Sequence, residues 1–375
     1  MEQLHKKAVC TIITKSYLAF ARALAHSLSE HSPNIRLYVL LADELDGYDN
    51  PTEEPFTTIL LEELPEQDLV RKMCFYYTNF ELCCALRGML HEYMYEKNIA
   101  RSWLFLDSDI LTYSSLEEIF NQLEETSILL NPHLLNPVDQ PYVYDVEVGV
   151  LVSGIYNAGF LGLKRSEETK RFIDWFKHRL IHYAFNRRGK EAIFKLLFVD
   201  QLWLNFVPHF FKEVSFLVHP GANVGYWSLI SHKINKQNNI YFIDNKPLLF
   251  IHFSGWNISH PSQVSTYLSI GKNISLWKEL GEHYKELLLK YGYQECKNYP
   301  YAFSSFSNGQ KIIPEMRYLY YEKIANNEIV QNEPFSDSNF FILKRLLKIN
   351  KISVRSALSA LKNYWIKYKK MLPLF

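Results

Sequence analysis

The first 45 residues alternate strand, helix and strand, and that alternation sets the strongest limit on what this chain can fold into. Val9 to Ile13 is an apolar run of strand length. Tyr17 to Ser29 repeats apolar residues at helical spacing, with Leu18, Ala21, Leu24 and Leu28 on one face. Ile35 to Leu41 is a second strand-like run, closing at Asp43. Strands joined through helices imply a mostly parallel sheet with right-handed crossovers. The pattern continues. Phe80 to Glu96 reads as a helix feeding the apolar run from Trp103 to Leu106. Val148 to Val152 and Gly159 to Leu163 read as strands around a turn from Ser153 to Ala158. Thr169 to Phe185 is amphipathic, Leu248 to Phe253 reads as a late strand, and Trp277 to Tyr291 as a helix stopped by Gly292. The predicted class is α/β: a Rossmann-like, mixed and mostly parallel sheet flanked by helices.

The 375 residues fit one large α/β domain with extensions. A hydrophobic content of 48%, with 15% aromatics, is enough for a substantial core. No apolar stretch reaches the roughly 18 residues of a membrane span, and the opening segment is too short for a secretory signal. The five cysteines (10, 74, 83, 84 and 296) lack metal-type spacing, so free thiols in a reducing cytoplasm are expected.

The run from Trp103 to Leu106 ends abruptly in Asp107-Ser108-Asp109. Side chains two apart on an extended segment point to the same side. Two carboxylates placed so repel each other unless a cation lies between them. Carboxylates suit hard divalent ions, which keep few protein ligands and complete their shell with water and substrate phosphate. One reading is therefore a Mg²⁺ or Mn²⁺ site holding a diphosphate. The other is a plain turn, or the cap of a helix reaching Leu116 to Phe120. Ligands of open α/β sheets bind beyond the carboxyl ends of strands. Polar clusters stand at four such ends: Thr14 to Tyr17, Asp107 to Asp109, the Asn157 turn, and His252 to Gly255.

Four segments in this order, Leu106 to Asp109, Tyr156 to Gly159, Phe198 to Asn205 and Ile251 to Gly255, resemble the GT-A-type glycosyltransferases. The likeness spans roughly residues 8–256. It is to the metal-dependent family that includes glycogenin and the bacterial lipo-oligosaccharide galactosyltransferases. The chain is similar, too, to bacterial reading frames that read as glycosyltransferases and end in a His-Phe-Ser-Gly segment. The resemblance implies a GT-A fold. It implies that Asp107, Asp109 and His252 hold Mn²⁺ or Mg²⁺, and that Asp200 and Gln201 lie beneath the donor sugar as catalytic residues. Thr14, Tyr17, Arg87, Ser108, Asn157, Gly159 and Gly255 are implied on the donor side. Each has an ordinary alternative: turn residues at Asn157 and Gly159, a helix cap at Asp200, a core aromatic at Tyr17, a surface arginine at Arg87, a packed strand-end histidine at His252. Family members continue past the histidine with a Gly-x-x-Lys-Pro-Trp segment. Here Gly255 to Pro261 carries no lysine, which leaves His260, Lys272 or the metal alone for that role.

The activity so implied is glycosyl transfer from a nucleotide sugar, a UDP-sugar favoured, to a glycan or lipid-linked glycan acceptor. Its setting is bacterial surface-polysaccharide or lipopolysaccharide synthesis, with retained anomeric configuration. Residues 1–265 then form the catalytic domain and 266–337 a helical extension on the acceptor side. From Ser338 to Phe375 nine Lys or Arg and no Asp or Glu interleave with apolar residues near helical spacing, although the whole chain carries only +1. Such a tail fits an anionic bilayer surface or a packed terminal helix. No nucleic-acid-binding motif accompanies it. A peripheral place on the inner face of the cell membrane is expected. Competing functions are a non-catalytic carbohydrate-binding or scaffold protein on the same fold, and a phosphatase using Asp107 and Asp109. The phosphatase class wants Thr or Val at position 111, which is Leu.

Overall fold

The computed structural model describes residues 5–46, 51–187, 197–268, 275–326, 328 and 333–348. The strands are β1 (His5–Ile13), β2 (Arg36–Leu41), β3 (Thr57–Leu60), β4 (Ala100–Leu106), β5 (Ile110–Thr112), β6 (Ile128–Pro132) and β7 (Tyr156–Lys164). With the edge strand Val214–Phe216 they build a seven-stranded sheet, from which β5 is excluded. Its order is Val214–Phe216, β6, β7, β4, β1, β2, β3. Only β7 runs against its neighbours β4 and β6; every other pairing is parallel. The mixed, mostly parallel sheet read from the sequence is thus what the chain forms, with helices such as Leu18–His31, Arg87–Glu96 and Glu167–Tyr183 beside it.

Strand β4 lies at the centre, between β1 and β7, and Trp103, Leu104, Phe105 and Leu106 are all buried. Burying each such side chain stabilises by roughly 1.5–3 kcal/mol, so the strand's end is held firmly in place. Helix Glu167–Tyr183 starts where Ser166 accepts a hydrogen bond from the Thr169 N–H at 3.0 Å. It packs on helix Arg87–Glu96 at Gly88, where a Cβ would stand 2.5 Å from the Lys177 Cα. Only glycine permits that approach, and it sets the height of the neighbouring Arg87.

Three segments differ from the sequence reading. Val148 to Val152 is helical, not a strand: a π-helical turn, Tyr144–Val148, runs into helix Gly149–Ser153. A valine-rich run favours a strand only where a sheet edge is there to receive it. Val148, Leu151 and Val152 instead remain exposed. The turn is also shorter than expected. Gly154, at φ +121°, reverses the chain, and Asn157 already belongs to β7. The helix expected over Phe80 to Glu96 is two abutting segments, Asn79–Ala85 and Arg87–Glu96, and Leu86 keeps its bond to Leu82 across the junction.

The chain divides into two compact units. One comprises residues up to Gln67 together with Asn79–Tyr301; the other joins Asp68–Thr78 to the chain from Ala302 onward. In the second, buried Arg317 donates to the carbonyls of Cys74, Phe75, Tyr77 and Phe303, satisfying the C-terminal end of helix Gln67–Tyr76. Residues 337–348 are helical, and the rest of the basic tail lies outside the described residues.

Candidate functional site

Beyond the last buried residue of β4, Asp107-Ser108-Asp109 forms a tight turn closed by the Ile110 N–H on the Asp107 carbonyl, at 3.1 Å. The chain then leaves the sheet. β5 pairs antiparallel with the short strand Phe250–His252, in the register Ile110↔His252. That register lays the imidazole beside the acidic turn. His252 Nε2 stands 3.2 Å from an Asp109 oxygen and 3.7 Å from an Asp107 oxygen. One ligand atom from each of Asp107, Asp109 and His252 lies within 4.8 Å of the others. Two carboxylates and an imidazole are a donor set suited to Mn²⁺, and less so to Mg²⁺.

The electrostatics show how tightly the acids are held. Burial alone would lower the His252 pKa, yet the two aspartates raise it above the ordinary histidine value. Burial pushes the Asp109 carboxyl up, but the His252 charge and hydrogen bond outweigh it, and Asp109 ends below its usual range. Burial raises the Asp107 carboxyl despite the Arg87 and His252 charges.

Arg87 is the second centre. Its guanidinium is buried over the Phe105 ring, at 4.4 Å. One terminal nitrogen donates to Asp200 and to the Ala158 carbonyl, both at 2.6 Å, and the other to Asp107. Asp107 therefore divides its oxygens, one toward Arg87 and one toward His252. Arg87 does not lie on a helix surface; its two terminal nitrogens are committed to carboxylates and a carbonyl. Asp200 sits at the N-cap of the short helix Gln201–Phe206, but its side chain makes no cap bond. Burial raises its carboxyl pKa despite the nearby arginine charge.

Gln201 accepts from the Ala158 N–H at 3.1 Å and donates to the Ser153 carbonyl at 3.0 Å. Arg87 and Gln201 thus both fasten to Ala158 near the start of β7, and Asp200 joins them through Arg87. Asn157 is held inside the protein. His133 donates from Nδ1 to the Ile155 carbonyl at 3.2 Å, which leaves its Nε2 to accept from the Asn157 amide at 2.9 Å. Burial lowers His133 to about 4, so it is neutral and able to accept. The Asn157 oxygen then accepts from the Gly159 N–H at 2.9 Å. A Cβ on Gly159 would lie 2.4 Å from His252 Cε1, so glycine is what admits the imidazole.

At the end of β1, buried Thr14 meets Ser16, while Tyr17 is 46% exposed and stacked on Phe20 at 4.7 Å. The Tyr17 phenol is pushed up to about 12 by burial and, next, by the Asp109 charge. Ser108 is half-buried. Gly255 takes φ +68°, and a Cβ there would stand 2.6 Å from Ser265 and Tyr267. His260 is exposed, and Lys272 lies outside the described residues. Sequence reasoning missed His133, Asn131 and Asn223, because single buried polar residues carry no local signal.

No family model matches the chain. Two relatives from Bacillus subtilis (strain 168) do. The uncharacterized protein YfnF is 25% identical over 267 residues, 68% of this chain and 84% of its own length. The uncharacterized protein YfnD is 26% identical over 252 residues, 66% and 77%. Among solved structures, galactosyltransferase LgtC in complex with donor and acceptor sugar analogs matches 76% of this chain and 95% of its own, at 15% identity and a TM-score of 0.46. Glycosyltransferase GlyE of Streptococcus pneumoniae TIGR4 matches 80% and 66%, at 16% identity and 0.43. Mouse xyloside xylosyltransferase 1 matches 66% and 97%, at 14% identity and 0.37.

Proposed function

We propose that this chain is a metal-dependent glycosyltransferase of the GT-A type, moving a glycosyl group from a nucleotide sugar, preferably a UDP-sugar, to a glycan or lipid-linked glycan hydroxyl. The observation that carries the reading is the convergence of Asp107, Asp109 and His252 at the carboxyl end of a central strand. When bound there, Mn²⁺ or Mg²⁺ supplies Lewis-acid charge for a leaving diphosphate. Asp107 and Asp109 hold that cation, and His252 completes the protein share. Arg87 pairs with Asp107 and Asp200 and holds them in place. Asp200 and the Gln201 amide, beneath the sugar, offset charge developing at the anomeric carbon. Thr14, Tyr17 and Ser108 take the nucleotide side, and the Asn157 to Gly159 segment and Gly255 let backbone come close to the donor.

The biological setting in this proposal is synthesis of a bacterial surface polysaccharide or lipopolysaccharide, at the inner face of the cell membrane. The basic tail, residues 338–375, supports it. No helix among the described residues is long and apolar enough to cross a membrane. The test is a panel of nucleotide sugars with and without Mn²⁺, followed by release of nucleoside diphosphate. Metal-dependent release, lost in Asp109→Asn, supports the reading. Absence of release with every donor, together with no metal binding, overturns it in favour of a carbohydrate-binding or scaffold role.

A further inference from the structure

Behind His252 runs a chain of buried amides that touches none of the residues assigned above except His252 itself. Asn131 lies on β6, and its side-chain nitrogen reaches the Leu217 carbonyl at 3.0 Å. A carbonyl can only accept, so the amide nitrogen must face it and the Asn131 oxygen must face the other way. That oxygen meets the Asn223 side-chain nitrogen at 2.8 Å. The Asn223 oxygen is thereby turned toward His252 Nδ1, 3.2 Å away. All three side chains are buried, with 5% of His252 exposed and less of the two asparagines. The direction of every bond follows from one backbone carbonyl.

We propose that Asn223, locked by Asn131, is a positioning residue that keeps the proton of His252 on Nδ1 and so turns the Nε2 lone pair toward Asp107 and Asp109. The inference rests on the cation site proposed above and deepens it. An imidazole with its proton on Nε2 would aim an N–H at the site and repel a cation. An unlocked asparagine amide can rotate and offer its nitrogen to Nδ1, which selects that wrong tautomer. The cradle leaves His252 no second orientation: Gly159 closes one face, and Trp227 meets it edge-on at 5.5 Å. Asn223 itself sits at φ +52°, a conformation that asparagine tolerates better than most residues. Its neighbour Val224 bridges Ile251 and accepts the His252 N–H at 2.9 Å, so the two residues are carried side by side.

A carboxylate at position 223 can only accept, so Asp there needs no lock. This separates the relay from mere packing. The variants are Asn223→Gly, which suits the left-handed backbone, then Asn131→Ala, Asn223→Asp and the double variant Asn131→Ala/Asn223→Asp. Mn²⁺ affinity is read by titration calorimetry, and the His252 tautomer by imidazole ¹⁵N shifts with diamagnetic Mg²⁺ in the site. We expect Mn²⁺ binding weakened about 10- to 100-fold in Asn223→Gly and about tenfold in Asn131→Ala, the range seen when a partner of a metal-binding histidine is removed. The double variant should bind as Asn223→Asp does. With the cation bound the wild-type shift should report Nδ1–H, and Asn131→Ala should shift toward Nε2–H. An Nε2–H wild type overturns the proposal. So does an Asn131→Ala penalty of equal size in both backgrounds, which marks a structural role, or no penalty in either. If His252→Ala binds Mn²⁺ like wild type, the cation-site reading fails; if His252→Ala loses binding while Asn131→Ala costs nothing, only the relay fails.

Discussion

Ile110 and His252 are register partners in a two-stranded antiparallel ribbon that stands apart from the main sheet. Asp109 immediately precedes Ile110, so this pairing brings the imidazole within 3.2 Å of its carboxylate. The backbone confirms the clamp: the Phe253 N–H donates to the Asp109 carbonyl at 2.9 Å. The metal-type cluster is therefore a product of β-pairing between two short strands far apart in sequence.

Because three side chains share one cation in the proposed function, removing any of them should abolish most turnover. Asp107→Asn, Asp109→Asn and His252→Ala are each expected to lower metal-dependent release of nucleoside diphosphate by about 10²-fold or more, the usual loss when one stabiliser of developing charge is removed. Steady-state kinetics at saturating Mn²⁺ checks this. Wild-type rates in His252→Ala would exclude it as a ligand.

Arg87 neutralises two carboxylates while buried. Truncating it to methionine leaves buried Asp200 without its cation and Asp107 with His252 alone. The expected cost is about 3–5 kcal/mol of stability, measured by urea unfolding. Arg87→Lys should recover only part, since an ammonium lacks the planar fork that spans both acids.

Cation affinity should rise with pH through the His252 titration. Below its raised pKa the ring is an imidazolium and cannot ligate, so Mn²⁺ binding must release a proton. Calorimetry in buffers of different ionisation enthalpy measures that release. For the metal-free protein the signs run separately. The raised His252 contributes stability below its unfolded pKa, lost as pH rises through the folded value. The lowered Asp109 contributes stability above its unfolded pKa, lost as pH falls through its folded value. The pair stabilises most between those limits, and alkaline pH should lower the thermal midpoint unless Mn²⁺ is present.

Two glycines should respond in opposite directions. Gly159→Ala places a Cβ 2.4 Å from His252 Cε1, so the ring must move. Overpacking of this kind destabilises by about 1–3 kcal/mol, and metal affinity should fall with it. Gly149→Ala meets nothing within 4 Å and lies in a helix, so it should stabilise by about 0.4–1 kcal/mol. Thermal unfolding of the two variants side by side checks both signs.

The tail makes a separate prediction. A chain ending after residue 348, past the helix in which Leu343 is buried, should keep its turnover but no longer sediment with anionic vesicles, each basic residue near such a surface being worth about 1 kcal/mol. Unchanged sedimentation would place the membrane contact elsewhere.

Local pattern alone determined the parallel α/β class and the acidic turn at Asp107 to Asp109. Period-two and period-3.6 spacing are written in neighbouring residues, and a buried strand ending in two charges is visible without any partner. Other features depended on distant chain. Val148 to Val152 has strand composition, but no sheet edge receives it, so it coils into a helix. Arg87 reads as a helix-surface residue until Gly88 draws its helix against Lys177 and turns the guanidinium inward to Asp107 and Asp200. His252 was reached by resemblance, and its contact with Asp109 by the register of a ribbon that no short segment encodes. Asn131 and Asn223 left no trace in the sequence pattern, because a buried amide takes its meaning from the one carbonyl that orients it. Charge and periodicity are properties of adjacent residues; coordination and tautomer are properties of atoms that only the fold brings within hydrogen-bond distance.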